Sequence, residues 1–87
     1  MITIYKYRIP VGGGVVELPN IAEILSVGAQ GEDLFLWVQV NTDTPKIERY
    51  FEVFGTGHEI DYEGVRSRRF IGTAFMGPFV WHVFERI

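Results

Sequence analysis

The chain contains no cysteine. That single absence removes disulfide staples, cysteine-ligated zinc and thiol nucleophiles. Small secreted domains usually carry such staples, so a cytoplasmic setting is expected. Histidine is almost as scarce: His58 and His82 are the whole supply, and neither stands in a spacing such as His-Glu-x-x-His that would suggest a metal. Basic residues are outnumbered, eight Lys and Arg against eleven Asp and Glu. A long nucleic acid, held through its phosphates, is therefore not an expected partner. No apolar run approaches the roughly 18 residues of a membrane span. The opening Met1–Tyr7 alternates like a strand and lacks a signal peptide's apolar block, so no membrane association is expected.

What is present is apolar and aromatic. In 87 residues, 47% are hydrophobic and 15% aromatic, enough for one core in a chain near the lower size limit for folding alone. One domain over residues 1–87 is expected. The most informative stretch is the last, where two runs rich in aromatic and β-branched residues flank Gly77-Pro78. It reads as a β-hairpin, strands at roughly 69–76 and 79–85, in the middle of a small sheet.

Other strands are marked by alternation and ended by turn residues. Ile2 to Ile9 is stopped by Pro10, and Gly12-Gly13-Gly14 turns the chain into Val15–Leu18. A phosphate loop would need a following helix and a lysine, and neither is there. Ile21–Val27 fits helical or strand spacing, with strand from about residue 23 favoured by its shortness and its neighbours. Leu34–Val40 and Ile47–Phe54 follow, separated by the polar loop 41–46. Residues 55–69 form the longest irregular stretch. Six to seven short strands and no helix predict an all-β fold, a small antiparallel sandwich or barrel.

Leu34–Val40 and Phe79–Phe84 are apolar on both faces, whereas a sandwich strand has one inner face. Either Phe35 and Trp37 or Phe79 and Trp81 should then be exposed, as an interface or ligand site. A homo-oligomer is expected on this ground, unless loop 55–67 folds back over one face.

Candidate chemistry gathers around that loop. Gly55-Thr56-Gly57-His58 could offer backbone N–H groups to an anion, and Arg66, Arg68 and Arg69 could fork onto phosphate or carboxylate. Trp81 could stack a flat base. The competing readings are a loop histidine bound by its own turn, arginines neutralised by Glu59, Asp61 or Glu63, and a tryptophan used in packing. His58 with Glu59 and Asp61 shows no metal spacing, and the hydroxyls of Thr56 and Ser67 have no visible triad partners. No catalytic residue, metal or cofactor is assigned, and an enzyme is not expected.

The blocks Ile4-Tyr5-Lys6-Tyr7, Ile24-Leu25-Ser26-Val27, Leu36-Trp37, Phe54-Gly55-Thr56-Gly57-His58, Phe70-Ile71-Gly72-Thr73 and Val80-Trp81-His82-Val83-Phe84-Glu85 together resemble a family of short phage and prophage proteins, a domain of unknown function. The resemblance spans nearly the whole chain and implies a phage accessory protein in the cytoplasm of the infected host. It brings no catalytic residues, and the triple glycine and Arg66-Ser67-Arg68-Arg69 are not characteristic of it. The expected function is non-enzymatic binding, with sequestration of a small anionic ligand such as a nucleotide immune messenger as the leading form. The alternative is a protein-binding module that inhibits a host protein or serves as a minor virion component.

Overall fold

A computed structural model describes residues 1–61 and 67–87. Seven strands account for most of them: β1 (Ile2–Ile9), β2 (Gly13–Pro19), β3 (Glu23–Gln30), β4 (Asp33–Asn41), β5 (Lys46–Gly55), β6 (Arg68–Met76) and β7 (Phe79–Arg86). All pairings are antiparallel and form two sheets, β1-β4-β3 and β2-β5-β7-β6. The chain is thus an all-β sandwich. The segment left open between helix and strand is strand from Glu23, and Gly13 and Gly14 belong to β2 rather than to the turn. Gly13 must be glycine: its φ is +98°, and a Cβ there would lie 2.6 Å from the Phe51 carbonyl oxygen.

Period-two alternation sorts the core. Leu34, Leu36, Val38 and Val40 of β4 meet Phe51 of β5, Val83 of β7 and Val16 and Leu18 of β2 between the sheets, all buried. Burying side chains of this size contributes about 1.5–3 kcal/mol each.

Two expectations change. The C-terminal hairpin is not central as a unit: β7 lies inside the sheet, but β6 is its edge. Phe79 and Trp81 lie opposite Met76 and Ala74 on the face that carries Val83, where Trp81 packs against the core while Phe79, at the strand start, stays 56% exposed. Phe35 and Trp37 do face outward, yet both are half-buried. Trp37 packs over Gly28, where a Cβ would approach its ring to 3.2 Å, and the Lys6 ammonium sits 4.5 Å from the Phe35 centroid.

The edges β3 and β6 face each other across the sandwich, and each carries a register irregularity, at Ile24/Ser26 and Phe70/Gly72. Bulges twist edge strands and discourage pairing with other chains. Strand direction then fixes the two ends of the molecule. The β1–β2, β3–β4 and β6–β7 turns and the end of β5 share one end. The β2–β3 and β4–β5 turns, the start of β6 and the end of β7 share the other.

Candidate functional site

The blocks Gly55–His58 and Trp81–Glu85 lock onto each other. β5 ends at Gly55, opposite Trp81. There the His58 N–H donates to the Gly55 carbonyl and the Gly55 N–H donates to His58 Nδ1, both at 3.0 Å. Gly57 has φ +87°, which strains any side chain. Gly55 leaves room for the His58 ring, since a Cβ would lie 2.8 Å from His58 Cε1 and push the exposed ring aside. The His58 ring meets Trp81 edge-on, with centroids 6.0 Å apart and planes at 68°. With Nδ1 accepting, the neutral ring carries its proton on Nε2. His58 is therefore a loop histidine bound by its own turn.

Thr56 reaches the outer face. Its N–H donates to the Val80 carbonyl at 3.2 Å, and its hydroxyl lies 2.8 Å from His82 Nε2. His82 Nδ1 is 3.0 Å from the Thr73 hydroxyl. One imidazole thus ties the loop to β6, each nitrogen having a hydroxyl partner.

The arginines lie elsewhere. Arg68 and Arg69 sit at the opposite end of the β6–β7 hairpin from Trp81. Trp81 and Arg69's partner Glu85 are four residues apart on β7, about 13 Å by strand rise. Arg68 grips Glu52 through Nε at 2.5 Å and Nη2 at 3.1 Å, and donates Nη1 to the Asp61 carbonyl at 3.1 Å. Its side chain is only 6% exposed, and the hydrogen bond to Glu52 holds its guanidinium above the ordinary value. Arg69 donates to Glu85 at 2.9 Å. Glu85 is also bound by both Nε and Nη2 of Arg49, at 2.5 and 2.7 Å, while Arg49 Nη1 donates to the Ala22 carbonyl at 2.8 Å. Burial pushes the Glu85 carboxyl up, but the hydrogen bonds from Arg49 and Arg69, with their charges, outweigh it and hold it below the usual range. Glu52 and Glu85, from the neighbouring strands, pair with the arginines, and Asp61 of the loop adds its charge at Arg68, as expected for one of the loop acids. Arg66 and Glu63 fall outside the described residues.

Of the expected site, Gly55, Thr56, Gly57, His58 and Trp81 come together, while Arg68 and Arg69 do not join them. His58 and Trp81 instead border a cavity of about 310 Å³ between the sheets at their end of the molecule. Its walls are Ile9, Pro10, Leu34, Val53, Met76 and Trp81, and its mouth carries Val11, Gly12, Glu32, Asp33 and His58. Phe79 stacks on Trp81 with centroids 5.7 Å apart and planes 21° from parallel. Among the described residues no group of three or more His, Asp or Glu could hold a metal ion, and no helix is long and apolar enough to cross a membrane.

Sequence reasoning missed Met76, Glu32, Asp33 and the Ile9–Gly12 corner. Their only shared signal is position: each lies at a turn, and the strand order brings those turns to one end.

The blocks that build this end fall within a single family match. The chain belongs to the family described as Domain of unknown function (DUF7352), whose model matches residues 1–87. Searches of curated proteins and of solved structures gave no match. In this DUF7352 chain, Gly-Thr-Gly-His and Trp-His-Val-Phe-Glu have a physical reason to occur together, because each supplies the partners of the other.

Proposed function

We propose that this protein is a non-enzymatic binding module that seats a small, flat ligand in the end cavity beside Trp81 and His58, acting as a phage accessory protein that sequesters the ligand in the infected cell. The cavity carries this reading. Its volume falls within the roughly 300–1,000 Å³ of small-molecule sites, and mostly apolar walls with a few polar groups at the mouth are what such sites use. Binding rather than catalysis is favoured by the local bonding: the Gly55 N–H occupies His58 Nδ1, and the hydroxyls beside His82 orient it without a carboxylate. A nucleotide messenger would have to present its base to the cavity. Its phosphates would gain little from Arg68 and Arg69, which answer Glu52 and Glu85.

A second reading, a protein-binding module or homo-oligomer, is favoured by the outer face of the four-stranded sheet. Phe70 and Phe75 there are 56% and 75% exposed, and Phe70 meets Phe84 edge-on at 5.4 Å. Phe54, Phe84 and Phe70 form one aromatic row, and contiguous apolar surface marks interfaces.

Native mass spectrometry before and after mixing with filtered extract of phage-infected cells separates the two. The cavity reading expects a fixed small mass gain that is lost when Met76→Trp fills the cavity, with circular dichroism confirming the fold. No mass gain, together with a host-protein complex or an oligomer abolished by Phe75→Asp, would overturn it in favour of the aromatic face.

A further inference from the structure

We infer that the end cavity selects a ligand with an apolar body and a cationic head, a small aromatic or aliphatic amine, over one bearing a phosphate or carboxylate. This rests on the cavity being the binding site proposed above. The body is specified by the walls, where Trp81, Met76, Val53 and Leu34 offer a flat, apolar slot between the sheets. The head is specified by the mouth. Both acidic residues that line it, Glu32 and Asp33, are carboxylates from the β3–β4 turn, and among the described residues no Lys or Arg lines it.

Asp33 has part of its charge answered by Arg8, whose Nε donates to Oδ1 at 3.1 Å, and the two side chains remain 43% and 52% exposed. Glu32 is exposed and has no ion-pair partner among the described residues. A cation at the mouth would meet that unanswered carboxylate, with the aromatic ring of Trp81 lining the same cavity. An anion would meet the same carboxylate in repulsion. The net charge of −3 acts in the same direction at longer range, weakened by salt.

Calorimetric titration with tryptamine, 3-methylindole and indole-3-acetate tests this, because the three share one ring and differ in charge. The expected order is tryptamine tightest and indole-3-acetate weakest, a spread of about tenfold, made of one exposed attraction and one exposed repulsion of a few-fold each. The spread should narrow in high salt and in Glu32→Gln. If 3-methylindole binds but the three affinities are equal, or indole-3-acetate binds best, the charge selection is wrong and the cavity stands. If none of the three binds, the cavity reading fails and this inference fails with it.

Discussion

The two ends of the sandwich solve opposite problems. At one, Arg49, Arg68 and Arg69 are spent on Glu85 and Glu52, and Arg49 also holds the β2–β3 turn through the Ala22 carbonyl. At the other, three turns and the Gly55–His58 loop surround apolar walls without filling the space between them. A charge taken from water must be paired, so an internal glutamate such as Glu85 recruits whichever arginines the register brings near. Arg68 and Arg69, adjacent in sequence, are both drawn into such ion pairs. The open end is assembled from residues far apart in the chain, none of them conspicuous alone except Trp81 and His58.

The sharpest way to break this contrast is to open the closed end. Arg49→Met leaves Glu85, 8% exposed, with Arg69 as its one ion-pair partner among the described residues, and should cost about 3 kcal/mol in urea unfolding. A loss below about 1 kcal/mol would mean that the cluster does not hold that end.

Acid should act on the same group. Because the folded Glu85 carboxyl is held below its ordinary 4.5, its contribution is fully present above that pH and is lost as pH falls through the folded value. A pH series of unfolding midpoints should decline on that acid limb, and Arg49→Met should flatten the decline.

A smaller effect of opposite sign is expected in the turn that Arg49 holds. Ile21 is β-branched and exposed, with φ +64°, a left-handed conformation costing such a residue about 1–2 kcal/mol. Ile21→Asn should raise the melting midpoint by about 5 °C. The smallest change belongs to the open end. Gly55→Ala displaces the exposed His58 ring and should cost about 1 kcal/mol or less, while shifting the Trp81 indole resonance and weakening the ligand. Arg68→Gln should leave ligand affinity unchanged.

Much of the fold was legible because its signals are local. Pro10, Gly12, the 42–45 loop and Gly77-Pro78 all punctuate where the structure turns, and alternation in 34–40 and 47–54 assigned their faces correctly. Strand order was not legible, so neither the edge position of β6 nor the inward face of Trp81 could be read. The Arg49–Glu85 pair joins residues 36 apart in sequence, and only the β5–β7 register, Phe51 opposite Glu85, brings them together. The Gly-Thr-Gly-His loop stood out because its glycines answer a φ angle and a close approach, and such needs are written in residue type. The cavity left no such mark, since apolar residues at strand ends look the same whether they close a core or line an opening.

The central claim, that the site is the apolar end cavity and not the arginines, is tested most directly by mapping amide shifts in a ¹⁵N-labelled sample titrated with 3-methylindole. The account predicts changes confined to Ile9, Leu34, Val53, His58, Met76 and Trp81. Changes centred on Arg68 and Arg69, or on Phe70 and Phe75, would contradict it.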